Sequence, residues 1–232
     1  ATYVGAPNYF GNDSFTFQAT DPAGISSGIC TVFVTILPVN DAPVAVIEVS
    51  PIIDLGPSVG GINVMSPNNK NACVVLDGSQ SYDPDNDPAD LTYLWMVNGD
   101  MIGTDMILVD VCLPVGNPEV TLIVSDGSAS GETTVAVNVL TAAEATEELI
   151  MSVNDAVISR KTKQPLLATL KTATAAMERG SFGAGANMLS AFINKVEAQV
   201  AKDDPDVAEE WIAIAEGITD ATENPETCGD CE

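Results

Sequence analysis

Apolar and polar side chains alternate along the first forty residues. SFTFQAT (14–20) and ICTVFVTIL (29–37) place apolar residues two apart, the period of a strand with one covered face. Between them DPAGISSG (21–28) carries the Pro and Gly of a turn, so the pair predicts a β-hairpin. PVNDAPV (38–44) follows as a proline-bracketed linker. Short apolar runs then recur from 44 to 140: VAVIEV, CVVL, LTYLWMV, MILVDV, VTLIV and TTVAVNVL. Clusters of Gly, Pro, Asn and Asp separate them, the pattern of an all-β sandwich.

At residue 141 the period changes. TAAEATEELIMSVNDAVIS opens on a Thr141-x-x-Glu144 capping box and continues with apolar residues three and four apart. Further helices are predicted at about 164–179, 184–202 and 205–218, the last begun by Asp203 and Asp204 ahead of Pro205. Leu167, Leu170, Leu189, Phe192, Ile193, Val196, Trp211, Ile214 and Ile218 form the facing stripes of a small antiparallel bundle. TENPETCGDCE closes the sequence as a tail. The expected organisation is therefore a partial β repeat with linker (1–43), a β-sandwich (44–140), a helical bundle (141–220) and a tail (221–232).

Charge changes this picture. Among 232 residues there are 33 acidic and 8 basic side chains, a net charge of −25. Residues 1–140 hold 16 carboxylates, 13 of them Asp, against Lys70 alone. Such a surface repels nucleic acid and anionic membranes, and no apolar run reaches the ~18 residues of a membrane-spanning helix. Histidine is absent, which removes Ser-His and Cys-His catalysis and imidazole zinc sites. Paired carboxylates could hydrolyse a glycoside, but among 33 acids chance proximity carries no signal. The chain is expected not to be an enzyme.

Three stretches resemble known families. LDGSQSYDPDND…LTYLWMVNG…VTLIVSDG…TTVAVNV (76–139) looks like a polycystic-kidney-disease-type (PKD) domain, an Ig-like sandwich with Trp95 on its strand C. NYFGNDSFTFQATD…VTILPVNDAPV (8–44) is similar to the last part of a bacterial cadherin-like repeat. Its N-terminal half is missing here, so the absent strands are expected either upstream in a longer protein or in a neighbouring subunit. AFINKV (191–196) resembles the FIMAH-type C-terminal module of secreted bacterial proteins. The fold class is accordingly multidomain β plus α: an Ig-like β-sandwich preceded by a partial cadherin-like repeat and followed by a helical bundle.

The candidate chemistry is calcium. SYDPDNDPADLTYLW (81–95) sets Asp83, Asp85 and Asp87 at alternate positions in a Pro-stiffened loop between strands B and C. Ca²⁺ takes six to eight oxygens at about 2.3–2.6 Å, which such a loop can direct to one point. The bland alternative is a solvated turn whose Asp side chains cap backbone amides. In the linker, Asn40 and Asp41 belong to NDAP (40–43), which resembles the calcium-linker motif between cadherin repeats; Asp21, and Asp13 with it, are further candidates. The resemblance implies that such an ion fixes the interdomain angle.

Five cysteines complete the inventory. Val74 and Leu76 are expected inward, leaving Cys73 outward, and Cys112 shares the outward face of Asp110. Strands B and E are neighbours in an Ig-like sheet, which makes Cys73–Cys112 a reasonable cross-strand disulfide. Cys30 is expected as a small buried apolar residue beside Val32, Val34 and Ile36. Cys228-x-x-Cys231 is expected to form a local or intermolecular disulfide in the tail.

The functional expectation is a non-enzymatic, calcium-stabilised extracellular segment of a bacterial surface or secreted protein, serving adhesion or as a stalk. Its partners would be protein or polysaccharide at the cell surface, or further copies of itself. The alternatives are a filament or surface-layer subunit completed by a neighbour's strands, and accessory modules of a secreted hydrolase.

Overall fold

The structure is a computed structural model and describes residues 3–6, 9–56, 60–85 and 90–223. Strands β1 (Gly11–Phe17) and β2 (Cys30–Ile36) form an antiparallel two-stranded sheet, with Phe15 opposite Val32 and Asp13 opposite Val34. The alternation is kept: Val32, Val34 and Ile36 are half-buried, while Thr31, Phe33 and Thr35 are exposed.

Eight strands follow. They are β3 (Glu48–Ser50), β4 (Ile62–Ser66), β5 (Asn71–Asp77), β6 (Thr92–Val97), β7 (Asp100–Gly103), β8 (Ile107–Pro114), β9 (Glu119–Ser125) and β10 (Ser130–Thr141). One sheet has the order β4-β10-β9-β6-β7 and the other β3-β5-β8. β4 runs parallel to β10 and the remaining pairs are antiparallel. Inward residues of both sheets share one core: Val74, Leu76 and Leu113 from one, Trp95, Leu122, Val124 and Val137 from the other. Two sheets around a common core thus stand where the apolar runs of 44–140 recur. Trp95 is fully buried, and its indole N–H donates to the Asp105 carbonyl at 2.9 Å. Gly78 makes room for it, since a Cβ there would stand 3.1 Å from the ring.

Two strands differ from the expectation. β4 carries no alternation, because Asn63, Val64, Met65 and Ser66 are all buried. β7 has only four residues.

Four helices complete the chain: α1 (Ala142–Asp155), α2 (Arg160–Glu178), α3 (Phe182–Gln199) and α4 (Pro205–Glu223). The Thr141 capping box is formed: its hydroxyl accepts from the Glu144 N–H (3.1 Å), and the Glu144 carboxylate accepts from the Thr141 N–H (2.8 Å). α2 begins earlier than 164 because Ser159 caps the Thr162 N–H at 3.1 Å, leaving Pro165 inside the helix. The predicted stripes do meet, with Leu170, Leu189, Phe192, Val196, Trp211 and Ile218 at most 1 % exposed.

The boundary at 140 is less clean than the composition change suggests. β10 runs directly into α1, and the bundle core also takes in Ile53, Leu55, Met65 and Leu140. Asn69, in the β4–β5 turn with φ +60°, donates its side-chain N–H to the Met177 carbonyl near the end of α2 (3.1 Å). The helices therefore pack on the segment between β3 and β5 as well as on each other. Among the described residues, no helix is long and apolar enough to cross a membrane.

Candidate functional site

The linker, the acidic loop and the β9–β10 turn converge at one end of the sandwich. In the loop, the Asp85 N–H donates to Asp83 Oδ1 (2.7 Å), a local turn that fixes both residues. Asp83 is 8 % exposed. Asp85 Oδ2 accepts from the Asp41 N–H at 2.6 Å. In the opposite turn, Asp126 Oδ1 accepts from the N–H groups of Ser128 (2.6 Å) and Ala129 (2.7 Å). Its other oxygen accepts from Asn40 Nδ2 at 2.7 Å. These donors, the Ala129 N–H first, then the Asn40 amide and the Ser128 N–H, hold the Asp126 carboxyl below its ordinary value.

The backbone is seated just as closely. Val44 and Tyr82 exchange both N–H···O bonds (2.7 and 3.1 Å). Thr133 Oγ1 donates to the Ala45 carbonyl at 2.6 Å. A Cβ on Gly131 would lie 1.9 Å from the Pro43 carbonyl oxygen, so only glycine lets the linker lie on β10 there. Residues 40–45 are thus clamped to the sandwich by one contact with each of several neighbours.

The donor set can be tested against calcium. Its oxygens are of the right kind, but a cage needs six or more converging on one point. Among the described residues, no group of three or more carboxylates, cysteines or histidines is placed to hold a metal. Asp85 and Asp126 instead accept from linker N–H groups. The described residues alone supply no such cage, and Asp87, the third carboxylate of the loop, lies outside them.

Asp21 is set apart from the linker. It closes the hairpin turn, its Oδ1 accepting from the Ile25 N–H (2.8 Å) and its own N–H donating to the Ile25 carbonyl (2.9 Å). The whole of β2 lies between that turn and the linker, roughly 20 Å at a strand's rise per residue. Asp13 faces Tyr3, whose hydroxyl donates to it at 2.6 Å; that bond lowers the Asp13 carboxyl and raises the Tyr3 hydroxyl.

Cys73 and Cys112 stand directly opposite each other in the β5–β8 register, both half-buried on the outer face. Cys30 requires a correction. It shares the parity of Val32, Val34 and Ile36, yet it is exposed and free. It opens β2 at the turn end of the hairpin, where no second layer among the described residues covers it. Cys228 and Cys231 lie outside the described residues.

Asp126, Gly131 and Thr133 belong to this site and were not among the sequence candidates. The only signal for Asp126 was its Asp-Gly-Ser turn (126–128), which repeats Asp77-Gly78-Ser79.

No family model matches the chain, and no curated protein matches it. Among solved structures it is similar to the PKD1 domain of Vibrio anguillarum Epp. The identity is 26 %, covering 44 % of this chain and 99 % of that one, with a TM-score of 0.27.

Proposed function

We propose that this chain is a non-enzymatic structural or adhesion segment that works outside the cytoplasm, where it holds successive modules at a set angle. The observation that carries this reading is the clamp on residues 40–45, made by Asp85, Asp126, Gly131 and Thr133. A linker meant as a free hinge needs no such anchoring, because unanchored Pro-containing segments are only semi-rigid. The acidic β half and the facing Cys73 and Cys112 support an oxidising compartment, with those two sulfurs bonded to each other. The surface partner in this reading is protein or polysaccharide. Calcium would be an additional lock on the acidic loop, and no step of the reading runs through it.

The test is a distance measurement across the linker. Spin labels at Cys30 and at Glu132→Cys, with Cys228 and Cys231 replaced by Ser, should give one narrow distribution. Asn40→Ala combined with Asp85→Ala should broaden it. A broad distribution in the unbroken linker would remove the spacer reading. Melting in millimolar Ca²⁺ and Mg²⁺ separates the role of the ion. A rise specific to Ca²⁺ and reversed by chelator assigns it, whereas equal rises report charge screening.

A second reading, a subunit completed by a neighbour's strands, draws on the hairpin. Ile29, Phe33 and Leu37 are 73, 82 and 75 % exposed, and β1 and β2 pair with each other alone among the described strands. Open edges of this kind accept further strands. Concentration-dependent sedimentation of the full chain would favour it.

A further inference from the structure

Segment 51–56, in the β3–β4 connection, and helix α4 line a groove of about 470 Å³. That lies within the range of small-molecule sites. Its floor is apolar: Ile53, Met65 and Ile214 are 9, 7 and 2 % exposed. α4 lines it with Glu210, Ala213, Ile214, Gly217 and Asp220, which share one face at three- and four-residue spacing.

Two features keep the groove open. Gly217 sits in the interior of α4, where glycine is unfavourable relative to alanine. Packing does not demand it, since a Cβ there would meet only Ile53 at 3.6 Å, an ordinary contact. Ala213 and Ala221 are further small residues on the same wall, and Ala213 is exposed.

The rim has one sign. Asp54, Glu210 and Asp220 line it, and among the described residues no Lys or Arg does. The Asp54 side chain accepts from the Gly56 N–H at 2.9 Å, fixing the turn at 54–56. Glu210 lies across that turn, its Oε1 2.7 Å from where a Cβ on Gly56 would stand. Gly56 has φ +84°, so the chain reaches this conformation because the residue is glycine. An apolar floor beneath three carboxylates, on a chain of net charge −25, rejects anions. A small inorganic cation cannot use the floor, and a neutral apolar molecule cannot use the rim.

We propose that this groove binds a small organic cation with an apolar body, an alkyl- or arylammonium. The body covers Ile53, Met65 and Ile214 while the ammonium lies against Glu210, with Asp54 and Asp220 adding to the field. This site is independent of the linker clamp, so its failure would leave the spacer reading untouched.

The experiment is calorimetric titration of the full chain with hexyltrimethylammonium at about 150 mM salt, where diffuse attraction is screened beyond ~8 Å. Saturable binding should exceed that of tetramethylammonium and of 1-hexanol by roughly tenfold each. Glu210→Gln and Ala213→Leu, both at positions outside the buried core, should each weaken it about tenfold with unchanged circular dichroism. Equal binding of tetramethylammonium would mean attraction to the acidic surface alone. Equal binding of hexanol would mean a plain apolar cavity. No saturation, or full affinity in both variants, would also overturn the proposal.

Discussion

The β1–β2 hairpin and strand β5 carry the same alternation and end in different surroundings. In β5 and β8 the inward residues Val74, Leu76 and Leu113 are at most 1 % exposed, because β6, β9 and β10 lie across from them. In the hairpin, Val32, Val34 and Ile36 are only half-buried, and Cys30 on the same face is exposed. Alternation reports which side chains share a face. Whether the face is dry depends on a second layer, and a lone hairpin has none.

The largest expected effect tests this contrast directly. Trp95→Ala empties the centre of the sandwich and should lower stability by about 3–5 kcal/mol. Phe33→Ala, at 82 % exposure, should change it by less than about 0.5 kcal/mol. Urea unfolding followed by far-ultraviolet circular dichroism measures both. A large loss at Phe33 would mean that something covers the hairpin in solution.

Next comes the proposed Cys73–Cys112 bond, which would close a loop of about 40 residues. Cys73→Ser with Cys112→Ser should then lower the sandwich's stability by about 2–4 kcal/mol, and reductant should do the same to the parent chain. Peptide mapping without reduction should recover the linked pair. Freely alkylated thiols in natively isolated material would refute it.

Much of this architecture was legible because its signals are local. The Thr141–Glu144 box needs four residues, and the stripes of α3 and α4 need only a helical period. The misses were non-local or lacked a period. β4 is buried on both faces, so its side chains do not alternate. The second helix, expected from about 164, starts one turn earlier, where Ser159 caps it. Asp126 reads as an ordinary turn residue until Asn40, 86 positions away, is laid against it. Ile53 and Leu55 look like sandwich residues but pack with the bundle, which no window of sequence discloses.

The linker sits between the two regions, so breaking it should matter less than breaking the core. Gly131→Ala places a methyl group 1.9 Å from the Pro43 carbonyl oxygen, too close for either side to absorb without moving backbone. The expected loss is about 1–3 kcal/mol, on the scale of overpacking. Faster amide exchange at Val44 and Tyr82 should accompany it, since their paired N–H groups depend on the same seating. Slow exchange there in the variant would show that β10 yields rather than the linker.

The smallest effect is the pH response of the clamp. Asp126 has its carboxyl held below the ordinary value by the Ala129 N–H, the Asn40 amide and the Ser128 N–H. A depressed folded value means that the native state binds this proton less readily than the unfolded chain does. Its contribution is therefore complete above the ordinary Asp range, near about 3.9, and is lost as pH falls through the lower folded value. The clamp should hold unchanged from about pH 7 to pH 5 and loosen only in stronger acid. The Asn40 side-chain amide resonances report it, because that amide donates to the titrating oxygen. They should shift with a midpoint below that of a free Asp, and Asp126→Asn should abolish the shift. A midpoint at or above the ordinary value would mean that the Asn40 bond does not persist in solution, and the hairpin would then be as loosely tethered as it is loosely packed.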